Sequence, residues 1–377
     1  MNNGNVLSTF DVGVRKELKR IFVSDCEGPI VKNNIALELT AHFVPEGDRV
    51  FDIINKYDYV HAFFTNSPKY TWGNSSKLVL PFLLAYDATN KNVEEFSASK
   101  LRLMKGCKET LKYVQNVSEA FILSTSYEHF VRALCREVGF PLENTYCTKV
   151  NLDEYELNDK EKAKLKSLAW EIGGMPSINI PLNAKSLKDL SSRDQTTVKR
   201  LDKIFWKEIA GTHCRRVFSD VNIANEMEKA NAVRDIVKTV SSPLNEVMYV
   251  GDNITDAEAM KIIKSNGGLT VSLNGDEATV RNAEVAVLSN NSAAISVLAD
   301  MFFRFGKAEV MNIAGNFDKN VLWRSQADPA LLDRLFELYP TAWPKLYVVT
   351  EWNVESIVNI SKQFRKTIES EPVAKRN

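Results

Sequence analysis

The sequence predicts an α/β fold: a doubly wound parallel sheet carrying two mostly helical insertions and a C-terminal extension. Three observations predict it. Short apolar runs recur and end in small or polar residues, amphipathic stretches of helical spacing follow or separate them, and 44% of the 377 residues are hydrophobic, enough for a large core.

The runs are RIFVSD near 20–25, EAFILSTS near 119–126, EVMYVGDN near 246–253, GGLTVSLNG near 267–275 and EVAVLSNN near 284–291. Their length and β-branched content suit parallel strands buried on both faces. In EHFVRALCREVGF (128–140), Phe130, Val131, Leu134 and Val138 recur at helical spacing; in EKANAVRDIVKTV (228–240), Ala232, Val233, Ile236 and Val240 do the same. Such sheets bind ligands beyond the carboxyl ends of their strands, where Asp25, Ser124 and Asp252 would converge.

The predicted core comprises residues 18–30, 100–154 and 216–300. A first insertion, 31–99, opens with NNIALELTAHF and contains the apolar LVLPFLLAY at 78–86, expected to be a buried helix because a membrane span needs about 20 residues. A second, 155–215, carries the charged NDKEKAKLKSLAWEI and TTVKRLDKIFWKEI, whose charged faces read as solvated surface. Both insertions are placed where they could cover the strand ends. The extension, 301–377, shows no evident chemistry and is expected to dock on the core.

Lys and Arg together number 48, as do Asp and Glu, so no overall field favours nucleic acid or an anionic membrane. Five cysteines without a CxxC pair suit a reducing cytoplasm, and neither they nor the four histidines have zinc-site spacing. The first twenty residues lack a signal-peptide apolar region, so a cytoplasmic protein without membrane insertion is expected.

Chemistry concentrates in four stretches. IFVSDCEGPI ends a strand on Asp25 and places Glu27 two residues on, before a Gly-Pro turn. VMYVGDNITDAEAM places Asp252 and Asp256 at a strand-to-helix junction, where two carboxylates repel unless a cation intervenes, and oxygen ligands alone favour Mg²⁺. ILSTSYEHF offers Ser124 at a strand end, and NEMEKANAVRDI offers Lys229 at the start of a helix. Singly, each also has a plainer reading: a turn cap, an N-cap with a solvated helix acid, a serine cap, a solvated lysine.

In order, DCEGP, ILSTS, EKANAV and VGDNITDAEAM resemble the four successive motifs of the haloacid dehalogenase (HAD) superfamily of phosphohydrolases. LRLMKGCKETLKYV (101–114) and ILSTSYEHFVRALCREVGF are similar to the phosphoserine-phosphatase-like branch, and the DCEGP form with two insertions resembles uncharacterised archaeal HAD proteins associated with energy-converting hydrogenases. The likeness covers the core and leaves the insertions and extension aside. It implies a HAD-like core in which Asp25 is the nucleophile and Glu27 the general acid and base. Ser124, Thr125 and Lys229 would hold phosphoryl oxygens. Mg²⁺ would be held by Asp25, the Glu27 main-chain carbonyl, Asp252 and, directly or through water, Asp256.

Two departures stand out. Glu27 occupies a position where the family usually has Asp, and Pro29 one where Thr or Val is usual. The expectation is a Mg²⁺-dependent phosphatase of a small phosphorylated metabolite. The alternatives are a phosphotransferase or dehalogenase of the same fold, or a phosphate-ligand-binding regulatory or assembly protein without turnover. Substrate selectivity is expected from the insertions, with Lys69, Tyr70, Trp72 and Arg102 as candidates; oligomeric state is not legible.

Overall fold

The computed structural model describes residues 19–65, 70, 72–181, 183–339 and 343–369. Its centre is a seven-stranded sheet in the order β3-β2-β1-β4-β5-β6-β7. The strands are β1 (Ile21–Asp25), β2 (Glu119–Tyr127), β3 (Thr145–Thr148), β4 (Val247–Gly251), β5 (Leu269–Leu273), β6 (Val285–Leu288) and β7 (Lys345–Val348). The first six pair in parallel, and β7 closes the edge antiparallel to β6.

Every residue of β1, β4, β5 and β6 is buried. Alternation along the strands divides them between two apolar layers: Phe22, Met248 and Val250 face one, while Ile21, Val23, Val247 and Tyr249 face the other. From β1 the chain winds outward through β2 to β3, then returns to β4 on the other side of β1. The strand order therefore reverses between β1 and β4, and a crevice opens where their carboxyl ends diverge.

All five strands expected from the sequence are present. Two more were not anticipated. β3 is only four residues long and mostly half-buried, and β7 lies in the extension with its side chains half-buried or exposed, so neither shows a fully apolar run.

Residues 31–99 contribute four helices, Ile35–Phe43, Gly47–Phe64, Ser75–Ala85 and Asn90–Lys100. The apolar 78–86 run lies in the third, which is buried at Leu78 to Ala85. Residues 155–215 add the helices Asp159–Gly174 and Ser192–Lys203. The two sets are tied by polar contacts: Tyr57 donates to Asp202, Trp206 to Tyr57, and Arg49 to the Met175 carbonyl. Among the described residues no helix is long and apolar enough to cross a membrane.

One buried acid organises the first insertion. Asp58 is fully buried in the helix Gly47–Phe64, and its Oδ2 accepts the N–H groups of Gly73 (3.2 Å) and Ser75 (2.8 Å), satisfying free amides at the start of the next helix. Burial raises its pKa from 3.8 to about 7. Because the folded state holds the proton more tightly, this group favours folding below pH 4 and opposes it as pH rises through 7. The interval from 3.8 to about 7, at about 1.36 kcal/mol per pH unit, is on the order of 4 kcal/mol. Asp58→Asn, which keeps an acceptor for the two amides, is expected to flatten the decline in stability between pH 5 and pH 8; urea unfolding of both proteins at each pH checks this.

Candidate active site

β1 ends on Asp25, at the strand-order reversal and only 2% exposed. A buried carboxylate requires partners, and three are present. The Cys26 amide donates to Oδ1 (2.6 Å), while the Asn253 side-chain amide (3.1 Å) and the Lys229 ammonium (2.8 Å) reach Oδ2.

Lys229 sits in the first turn of the helix Glu226–Val240 and is itself 1% exposed, in contrast to the solvated lysine that its position alone suggests. Its ammonium lies between Asp25 and Asp256, 2.7 Å from Asp256 Oδ1. Burial works to lower its pKa, yet the charges of Asp25 and Asp256 raise it, so the lysine stays protonated. Burial, together with the charge of Asp256, pushes Asp25 well above the usual carboxylate range against the pull of Lys229.

Asp256 is saturated by protein donors. Oδ1 accepts from Lys229 and Tyr249 (2.8 Å), and Oδ2 from the amides of Asp252 (3.0 Å) and Asn253 (3.2 Å). It thus fixes Lys229 and the turn that presents Asp252. Oxygens of Asp25, Asp252 and Asp256 lie within 4.8 Å of one another. Burial raises Asp252 to about 7, opposed chiefly by Arg365.

The site suits a hard cation. The donor set is oxygen throughout, negative charge exceeds what Lys229 neutralises, and among the described residues no backbone donor bonds the Glu27 carbonyl. The backbone also makes room for it. Gly28 has φ +95°, and a Cβ there would lie 2.4 Å from Asp252 Oδ2, so only glycine lets the turn after β1 pass this carboxylate.

Glu27 Oε1 accepts from Ser126 Oγ (2.6 Å) and from the Ile35 amide (3.1 Å), which opens the first insertion helix. Burial raises its pKa, favouring the protonated acid. Ser124 is buried one residue beyond the Asp25 partner in β2, and its Oγ accepts the Ser126 amide (3.1 Å). The Thr125 carbonyl accepts from the Thr148 hydroxyl, so the irregular stretch of β2 after Ser124 is held at both ends. The first insertion covers this ground: a Cβ at Gly73 would lie 3.6 Å from Thr255 and 3.8 Å from Asn225, and Tyr127 donates to the Ser76 carbonyl.

The structure brings Asp25, Lys229, Asp252 and Asp256 into one cluster with Glu27 and Ser124 at its flank. Of the selectivity candidates, Arg102 is committed to Glu38 (2.5 Å), Trp72 packs on Tyr59 and Phe63, and Lys69 lies outside the described residues. Sequence reasoning passed over Asn253, although it lies inside the quoted GDNITD, and over Arg365, which carries no local signal. Arg365 belongs to the C-terminal helix Val354–Glu369, and its Nη1 donates to the Asp252 carbonyl (2.8 Å). The extension therefore reaches the site, contrary to the expectation of docking alone.

No protein-family model matches the chain, and no curated protein matches it. Among solved structures, a gene product of Archaeoglobus fulgidus superposes with a TM-score of 0.75 at 18% identity, over 93% of this chain and 97% of that one. The two share their fold nearly end to end. A phosphoserine phosphatase captured as a phospho-aspartyl intermediate analogue is similar at TM-score 0.44 and 14% identity, over 74% of this chain and 98% of that one. A HAD-family hydrolase from Salmonella enterica serovar Typhi is similar at TM-score 0.41 and 9% identity, over 71% and 67%.

Lys229→Met would leave Asp25 and Asp256 facing each other without their shared cation. Removing one partner of a buried ion pair typically costs about 3–5 kcal/mol. That loss is expected at pH 8 and should shrink at pH 5, where the carboxylates can take up protons; chemical denaturation at the two pH values measures it.

Proposed function

We propose that this protein is a Mg²⁺-dependent phosphohydrolase that hydrolyses a small phosphorylated metabolite through an aspartyl-phosphate on Asp25. The observation that carries this reading is the Asp25 carboxylate, buried at the sheet's switch point against Lys229 and beside Asp252. The four-motif likeness and the named phosphatase and hydrolase structures agree with it.

In this reading an Asp25 oxygen attacks phosphorus, and the bond from phosphorus to the leaving oxygen breaks. Protonated Glu27 gives that oxygen its proton, a role suited to the upward push that burial exerts on its pKa. The resulting carboxylate then takes a proton from water as the water oxygen attacks phosphorus, which frees Asp25 and releases phosphate. Lys229, Ser124 and Thr125 hold the phosphoryl oxygens, and the positive charge of Lys229 lies where negative charge shifts during bond breaking. Asp25, the Glu27 carbonyl and Asp252 would hold Mg²⁺, while Asp256, whose oxygens are taken by Lys229, Tyr249 and two amides, holds the turn that presents Asp252; the ion would supply charge that offsets repulsion between carboxylate and phosphate.

A second reading, a phosphate-ligand-binding protein without turnover, is favoured by one observation. The Glu27 oxygen that reaches Ser126 is also bonded to the first insertion helix, so this side chain has a structural task.

Phosphate release from a panel of small phosphomonoesters separates the two. Release that requires Mg²⁺, stops with EDTA, disappears in Asp25→Asn and falls roughly 10²–10⁴-fold in Glu27→Gln is expected. Undiminished release by Asp25→Asn would overturn the mechanism. Phosphate binding with no turnover of any panel member would favour the second reading.

A further inference from the structure

We infer that Arg365 is a positioning residue for Asp252, so that the C-terminal extension sets the cation affinity of the active site. This rests on the reading of Asp252 as a metal ligand. It assigns a role to a segment that the four motifs leave aside.

The extension is anchored at both ends of its contact with the core. β7 pairs with β6 over four residues, and the helix Val354–Glu369 then returns across the sheet's carboxyl edge. Along that helix Ile357, Ser361 and Arg365 recur every four residues, which places them on one face. Ile357 is buried against Val280 and Ala286. Ser361 is fully buried and donates to the Gly275 carbonyl at 2.6 Å. Arg365 follows one turn later and donates through Nη1 to the carbonyls of Asp252 (2.8 Å) and Asn274 (3.3 Å).

These bonds join the turn after β4 to the turn after β5. The Asp252 carbonyl also accepts the Asp276 amide (2.8 Å), and Asp276 Oδ2 accepts the Ile254 amide (2.8 Å), so Arg365 completes a lattice around the Asp252 main chain. The same Nη1 stands 3.6 Å from Asp252 Oδ2, beyond a normal hydrogen bond. The Arg365 side chain is 30% exposed, so water screens its charge. Besides this partly screened charge, which opposes the rise of the Asp252 pKa, the guanidinium holds the Asp252 main chain and with it the aim of the carboxylate towards Asp25, in the manner of groups that orient metal ligands from behind.

Isothermal titration with Mg²⁺, and with Mn²⁺ as a second probe, tests this on the full chain at a temperature where every variant is shown to be folded by circular dichroism. Arg365→Ala is expected to weaken both ions by roughly 10–100-fold, the usual cost of losing such a support. Arg365→Lys, which keeps the charge and one donor, should recover part of that loss. Unchanged affinity in Arg365→Ala would overturn the inference, since a merely structural contact would lower the unfolding temperature alone. Tighter binding would overturn it as well, by showing that the arginine charge competes with the ion. Asp252→Asn separates the two layers: if it binds Mg²⁺ as the unaltered protein does, the metal-ligand reading fails; if it loses binding while Arg365→Ala keeps it, only the role of Arg365 fails.

Discussion

The buried ammonium of Lys229, shared by Asp25 and Asp256, is the constraint on which the rest of the site depends. Two carboxylates at the carboxyl edge of one sheet repel, and burial makes each costlier. A single cation between them permits both, provided that every remaining oxygen finds a donor. That proviso explains the neighbours. Tyr249 rises from the strand below, and the amides of Asp252 and Asn253 turn inward, because the Asp256 carboxylate needs them. The turn that satisfies Asp256 is the turn that aims Asp252 towards Asp25.

The fold supplies the place for this cluster more than its chemistry. A sheet that reverses strand order between β1 and β4 leaves a crevice between those strands, and Asp25 and Asp252 stand on its two sides. Gly28 and Gly251 let the backbone close on these carboxylates, since a Cβ at either would collide with Asp252 or Asp256. The helices of the first insertion take two of their anchors, Glu27 and Tyr127, from the site's own flank.

Much of this was legible in the sequence, because strands buried on both faces leave continuous apolar runs and because acidic residues ending such runs are conspicuous. Asp25 and Asp252 were found that way, Asp256 by its place four residues after Asp252, and Lys229 only through the order of the four motifs; the convergence of the strand-end residues follows from parallel topology. Elements whose stability comes from pairing and not from burial were missed. β3 and β7 are edge strands with mixed side chains, so period and composition do not separate them from loop. Arg365 was invisible for a related reason: it lies 113 residues from Asp252, and only the path of the C-terminal helix makes them neighbours.

The antiparallel pairing of β7 on β6 also bears on how the chain folds as it is made. The six parallel strands are all complete by residue 288, whereas β7 begins at residue 345. Until then β6 presents an open row of amides and carbonyls beside apolar Val285 and Val287, a surface to which another nascent chain could add a strand. The late strand therefore replaces a wholly apolar edge, β6, with one of mixed side chains led by the exposed Lys345, and until it is synthesised the chain lacks that cover.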